Sequence, residues 1–505
     1  MSPTDSRLTL HRLETESAAE DLLSQAMDGR AIVQAHPQLE VICDLLRKQG
    51  AAAAVWQRNI QDPDFLAEHA AYYARWTYKV PRFGSRLHFF GSEPESDDVL
   101  DAIEGWSTDG ETYLGFVTLR PIAQSPVGAT FLRRPHQDDL LFVHAQDSYP
   151  VNLAGCGFAV EATPFMQQDN AVGACAQAAI WMALRTLRWR EGRSALNPAQ
   201  ITSSATRFVV NGRTLPNRQG LRIEQITEVI RSAGYSPHVI QLRTLSQIKD
   251  EPLDTKAEGR IYRQLYPYVE SGIPILLALA RLGSGHAVVI IGHAWDANTG
   301  HQAIADSTWP APNVTFFDAS NWARPFLVHN DNSGPYLQLQ SKAEGDYALE
   351  HAAWAIPLLS ADILVDAEEA RAACMNLLAE LMTAEGVISW PEKVIVRTRL
   401  LSRARLRADA LAADGYPGLK RYYRMKWLPS YVWLVEFYDF AGYAGAPHGQ
   451  ACKLADVVLE PNADPKDGHF LAAIAYTPVL PDTAPGPLIF DRDPFGGNIQ
   501  VSFAD

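Results

Sequence analysis

PFMQQDNAVGACAQAAIWMALR, residues Pro164 to Arg185, is the stretch on which the reading of this chain turns. A turn of small residues, Val172-Gly173-Ala174, leads into Cys175, and an apolar, helix-forming run from Ala176 to Leu184 follows. A cysteine in the first turn of a helix lies at the positive end of the helix dipole, which favours the thiolate, the nucleophilic form. Just upstream, Gln167 and Gln168 carry amides able to hydrogen-bond a developing oxyanion. Most free cysteines are small buried hydrophobes, so the local pattern leaves both readings open.

Distant residues tip the balance, because a nucleophilic cysteine needs a base and the base needs an orienting group. In GIPILLALARLGSGHAVVIIGHAW (Gly272–Trp295), the apolar runs Ile273 to Ala280 and Ala287 to Ile291 read as two buried strands joined by a glycine-containing turn. His286 opens the second run beside Gly285, which makes it the candidate base. His293, an odd number of residues on, falls on the opposite face of the strand and reads as structural. In RPFLVHNDNSGPY (Arg324–Tyr336), a short strand ends in a loop that holds Asn330 and Asp331. A carboxylate or carboxamide there can accept from the imidazole and hold its tautomer. Asp331 is the expected orienter and Asn330 the alternative, although Asn, Asp, Ser and Gly are also the residues of any tight turn.

The order Gln, Cys, His, Asp, with the Cys opening a helix and Gly-His-Ala-Val opening a strand, resembles the papain-like cysteine peptidases. It is most similar to the bacterial branch that cleaves bacteriocin leader peptides. The resemblance spans about residues 151 to 358, one domain's worth of chain. It implies a two-lobed catalytic domain, a helical lobe against an antiparallel sheet. It also implies Cys175 as nucleophile, His286 as general base and acid, Asp331 as orienter, and Gln168 or Gln167 as oxyanion donor. The chain departs from that pattern in having Ala176-Gln177 after the cysteine and a long interval between His286 and Asp331, with an insertion expected around Asn298 to Pro312. Asp296, Asp306 and Asp318 are therefore held in reserve for the third role. The implied reaction is hydrolysis of a peptide or isopeptide bond of a protein or peptide substrate through a thioacyl enzyme. Transfer of the acyl group to an amine, or a peptidase-like module that only binds, are the alternatives.

With 505 residues the chain exceeds one core, and three parts are expected: residues 1–150, 151–358 and 359–505. The fold class expected is α+β, the catalytic part being flanked by an N-terminal helix-then-strand region and a C-terminal α+β domain. A net charge of −14 argues against general binding to nucleic acid. The apolar runs fall far short of a membrane span, and the N-terminus does not read as a secretory signal. Five cysteines without paired spacing argue against a disulfide framework and for a cytoplasmic protein. His448, Cys452 and His469 match no metal spacing, and no metal or other cofactor is expected. A partner protein bound through the N- or C-terminal part is the expected use of the extra chain.

Apolar spacing predicts helices over Ala18 to Met27, Leu39 to Leu46 and Phe65 to Trp76, with Tyr72, Tyr73, Trp76 and Tyr78 as core. From Ser85 to Val160 the pattern turns to strands, read as a sheet packed on the catalytic part or a substrate-facing flap. Helices are expected over Gly173 to Leu187, Pro198 to Val209, Glu224 to Ala233, Thr255 to Glu270 and Ile363 to Thr383. The arginines of Val396 to Arg407 read as a solvated helix face over packed stems.

Overall fold

The computed structural model describes residues 7–27, 35–110, 112–134, 140–169, 175–212, 220–281, 283–296, 303–309, 313–344, 346–383, 390–412, 416–444, 453–462, 470–476, 487–492 and 499–503. Within them the chain is a mixture of helix and sheet, an α+β protein. It forms two compact units. The first comprises Met1–Pro252, Gly272–Gly292 and Phe326–Leu358, and the second Leu253–Ser271, His293–Pro325 and Leu359–Asp505.

The first unit opens with a five-stranded antiparallel meander. Its strands are β1 (Leu8–Arg12), β2 (Ala53–Ile60), β3 (Gly84–Phe90), β4 (Tyr113–Leu119) and β5 (Val127–Leu132), in that order. The next strand, β6 (Leu141–Val143), joins a later sheet, and β7 (Asp147–Leu153) and β8 (Cys156–Ala162) form a separate hairpin. That later sheet adds β9 (Tyr235–Pro237), β10 (Ile240–Gln241), β11 (Ile275–Arg281) and β12 (Ser284–Ala294). The run Phe316-Phe317 lies on β13 (Thr315–Asp318) of the second unit. The chain then returns with β14 (Phe326–Asn330), β15 (Gly334–Gln338) and β16 (Ala352–Ser360). The order is β10-β16-β11-β12-β14-β15, with β6 on β12 and β9 on β16.

Helix Cys175–Arg190 is the centre of this unit. Every residue from Ala176 to Leu184 is buried. A helix apolar all round needs walls on every side. One continuous core supplies them, joining Trp181 and Ile180 to Val117 and Phe131 of the meander and to Val289, Ile291 and Ile356 of the eight-stranded sheet. Residues 1–150 and 151–358, expected as separate parts, therefore share a core. The stretch from Ser85 to Val160 contributes strands to that core and is not a detached flap.

The second unit is built on one seven-stranded sheet. It continues from β13 with β17 (Lys393–Ser402), β18 (Tyr431–Asp439), β19 (Lys453–Leu459), β20 (Phe470–Ala475), β21 (Leu488–Arg492) and β22 (Ile499–Phe503), in that spatial order. The pair β13–β17 is parallel and the remaining pairs are antiparallel. Helix Thr255–Glu270 packs on β17 of this sheet. Two segments expected in the catalytic part, 253–271 and 293–325, thus fall with the C-terminal stretch, which joins the second unit from Leu359 onward.

Four local expectations change. The first 80 residues carry two strands as well as helices, because the alanine-rich AAVWQRNI of β2 is paired on both edges by β1 and β3. Tertiary pairing overrides the helix propensity of alanine there. Helix Pro63–Ala71 stops short of the aromatics: Tyr73 is buried, whereas Trp76 is 47% and Tyr78 83% exposed. The expected arginine helix is half strand. Arg397 and Arg399 lie on β17 and meet the buried Glu436 of β18, and only from Arg403 does helix Arg403–Ala412 begin. The later helix expected from Ile363 starts at Ala367, because β16 runs on to Ser360.

Among the described residues no helix is long and apolar enough to cross a membrane. Cys43 and Cys374 are buried, Cys156 and Cys175 are half-buried, and all four are free thiols. His448, Cys452 and His469 lie outside the described residues.

Candidate functional site

Cys175 is the first residue of its helix. The turn Val172-Gly173-Ala174 expected before it lies outside the described residues. Its thiol rests against the backbone N–H of Ala287, the residue after His286 on β12, and against the N–H groups of Cys175 and Ala176. The fold thus brings the sulfur to the start of the strand that carries the histidine. The three N–H groups stabilise a thiolate, but burial and the nearby Asp331 carboxylate outweigh them and push the Cys175 thiol up to about 12. The resting sulfur is a protonated thiol.

His286 is the first buried residue of β12. Its Nε2 is 2.8 Å from Asn330 Oδ1, at the end of the neighbouring β14. Since Asn330 Oδ1 is an acceptor, Nε2 carries the proton and Nδ1 the lone pair. Nδ1 faces the Asn332 amide, whose Nδ2 lies 3.4 Å away. Burial lowers the His286 pKa, opposed by the bond to Asn330 and by Asp346, so the ring rests neutral. Tyr347 lies over it with ring centroids 5.1 Å apart.

The expected order of the two orienting residues is reversed. Asn330 makes the hydrogen bond, and Asp331 Oδ1 stands 3.8 Å from the same nitrogen. The cause is local: the β14–β15 register shifts between Val328 and Asn330, and Asn330 Oδ1 also accepts from the Asn332 backbone, an Asx turn that aims its oxygen at the ring. Asp331 is fully buried, and neither carboxylate oxygen has a hydrogen-bond partner among the described residues. Burial drives its pKa well above the usual carboxylate range. Its backbone carbonyl accepts from Gln38 Nε2 at 2.7 Å, which ties the loop to helix Pro37–Lys48. Gly334, at φ +144°, closes that loop where a Cβ would stand 2.7 Å from Val41 of the same helix.

The two glutamines separate cleanly. Gln167 is buried and spent on structure: its Oε1 accepts from the Val127 backbone, and its carbonyl accepts from Arg120. Gln168 is half-buried and its Nε2 donates to Asn332 Oδ1 at 3.3 Å. The candidate oxyanion donor, the Asn332 amide and the imidazole therefore form one chain. Next to Gln168, Asp169 accepts from the buried Tyr73 hydroxyl. Gln177 is buried and bonds Pro198 O and Thr202 Oγ1, anchoring helix Pro198–Ala205.

Two of the reserve carboxylates are used elsewhere. Asp306 and Asp318 both pair with the buried Arg371 of the second unit, and the Asp296 backbone bonds Trp322 there. His293 is fully buried and pairs with Glu270 at 3.1 Å. Asn332, Tyr347 and Arg120 escaped the sequence reading. Asn332 lay within the quoted loop, but nothing in its spacing sets it apart from a turn residue. Tyr347 and Arg120 carry no local signal.

No model of a known protein family matches this chain, and no characterised protein matches it in sequence.

Proposed function

We propose that this protein is a papain-like thiol hydrolase that cleaves a peptide or isopeptide bond of a protein or peptide substrate. The observation that carries the reading is the contact of the Cys175 thiol with the Ala287 backbone, beside an imidazole whose Nε2–H is held by Asn330. The central helix against the eight-stranded sheet supports a two-lobed catalytic arrangement, and the free thiols suit the cytoplasm.

With a protonated thiol and a neutral ring at rest, proton transfer accompanies attack and does not precede it. His286 Nδ1 takes the thiol proton as Sγ bonds to the scissile carbonyl carbon. The oxyanion collects hydrogen bonds from backbone N–H groups at the helix start and from the Gln168 amide. One such donor is commonly worth about 3 kcal/mol of barrier. Collapse breaks the C–N bond, and His286 gives its proton to the leaving amine. Water, deprotonated by His286, then cleaves the thioester and restores the thiol. Asn330 keeps the tautomer throughout.

Alkylation tests the pairing. Cys175 should react with iodoacetamide faster than the buried Cys43 and Cys374, and its rate should climb steadily through pH 9. His286→Ala should slow it more than tenfold, and a peptidyl thiol probe should label the native protein but not Cys175→Ala. Equal reactivity of the cysteines, or no dependence on His286, would sink the proposal.

A further inference from the structure

Gln168, the candidate oxyanion donor, stands between two residues that one helical segment holds. That segment is helix Pro63–Ala71 with the short helical turn Tyr73–Arg75 after it. Glu68 pairs with Arg120 at 3.3 Å, and Arg120 donates to the Gln167 carbonyl at 3.0 Å. The Tyr73 hydroxyl donates to the Asp169 carboxylate. One turn before Glu68, Asp64 accepts from Arg185 at 2.7 Å, and Arg185 belongs to the helix that Cys175 opens. The same segment is thus tied to the residue on each side of Gln168 and to the helix of the nucleophile.

Stability does not account for these contacts. Glu68, Arg120, Tyr73 and Asp169 are each at most 3% exposed. A buried ion pair roughly breaks even against apolar side chains of the same volume, and its best-attested use is to fix register. The register at stake here is that of the Gln168 amide. Its Nε2 makes one long hydrogen bond, 3.3 Å to Asn332 Oδ1, which holds a side chain weakly. The backbone on either side must therefore aim it, and a displacement of about 1 Å in a catalytic group can cost about a hundredfold in rate. We propose that Tyr73 and Arg120 are positioning residues of the oxyanion site. They set the Gln168 amide relative to the Cys175 sulfur, acting through Asp169 and the Gln167 carbonyl. This inference rests on the thiol-hydrolase reading and extends its machinery to residues before the expected catalytic part.

Two reactions of Cys175 in the full-length protein separate aiming from folding. Acetylation by p-nitrophenyl acetate passes through an oxyanion: Sγ bonds to the acetyl carbon, the thiol proton goes to His286 and p-nitrophenolate leaves. Alkylation by iodoacetamide displaces iodide at a saturated carbon and forms no oxyanion. Rates are read after subtracting the Cys175→Ala background, and the acetylated residue is located by peptide mass. Gln168→Ala should slow acetylation about a hundredfold, and Tyr73→Phe at least tenfold, while both alkylate within twofold of wild type. In the Gln168→Ala background, Tyr73→Phe should slow acetylation less than twofold further. Glu68→Gln gives Arg120 a neutral partner of the same shape and should show the same split severalfold, which decides the matter should Tyr73→Phe not fold. If natively folded wild type is not acetylated at Cys175, the hydrolase reading falls and this inference with it. If wild type is acetylated and the Tyr73 and Glu68 variants match its rate, this inference alone falls. Equal slowing of both reactions, or a Tyr73→Phe effect that persists in full without Gln168, overturns it as well.

Discussion

Asp331 and Glu436 are both buried carboxylates, and the molecule treats them in opposite ways. Glu436, on the sheet of the second unit, is ringed by Arg399, Lys453 and Arg397. Those cations hold its carboxyl far below the ordinary range against the pull of burial. Asp331, on the loop beside His286, has no cation and no hydrogen bond to its carboxylate among the described residues, and burial pushes it the other way. A charge removed from water must be paired or neutralised. The second unit pairs its charges, and the loop of the first neutralises them. On β14, two residues before Asp331, His329 is buried and uncharged, with Nδ1 on Pro164 O and Nε2 without a partner among the described residues. An unsatisfied group of this kind marks a site where local rules yield to something other than stability.

The comparison can be broken most forcefully at Glu436. Glu436→Gln leaves three cations around a neutral amide and should cost about 3–5 kcal/mol in denaturant unfolding of the full chain. A loss under about 1 kcal/mol would mean that the cluster is wet and the contrast false. Acid gives the next largest effect. His329 and the buried His88 are each lowered by burial to about 3. A depressed histidine binds its proton in the unfolded state first, so stability is full above about 6.5 and falls as pH drops toward 3. Each should cost about 2 kcal/mol at pH 5, read from melting curves between pH 7 and 5, and His329→Gln should remove its own share of the slope.

A change of the opposite sign sharpens the comparison. Asp331→Asn replaces an unpaired carboxyl by a neutral group of the same shape and should raise stability at pH 7 while leaving it nearly unchanged below about pH 4, read from denaturant unfolding at the two pH values. The sign follows from linkage. A carboxyl raised by burial favours the folded state only while protonated, so it costs stability as pH rises above about 3.9, and the asparagine removes that cost. Asn330→Ala, by contrast, should lower turnover about a hundredfold or more with little change in KM, since it frees the imidazole tautomer. If Asp331→Asn harms turnover more than Asn330→Ala, the two residues exchange roles.

Much of this was legible along the chain. Helix Thr255–Glu270 lies at the expected residues, and His286 does stand at the start of a buried strand. Cys175, Gln168, His286 and the Asn330–Asp331 loop are all drawn together. Three things were hidden. Paired alanines in β2 look helical until β1 and β3 flank them. Arg397 and Arg399 look solvated until Glu436 is seen opposite Arg397 on β18. The partition into units depends on which sheet each returning segment joins, and residues 253–271 and 293–325 give no local sign of joining the later one.

Sequence by itself settled the residue types and the elements that carry them: a thiol at a helix start, an imidazole at a strand start, amides upstream and a polar turn downstream. These follow from periodicity and turn chemistry, which act over a few residues. Tertiary structure alone put Asn330 rather than Asp331 in hydrogen-bond contact with His286, left the Gln168 rather than the Gln167 amide beside Asn332, and placed the sulfur at Ala287. Those choices rest on register shifts and hydrogen bonds between segments far apart in the chain, where a displacement of about one residue's rise redirects a side chain.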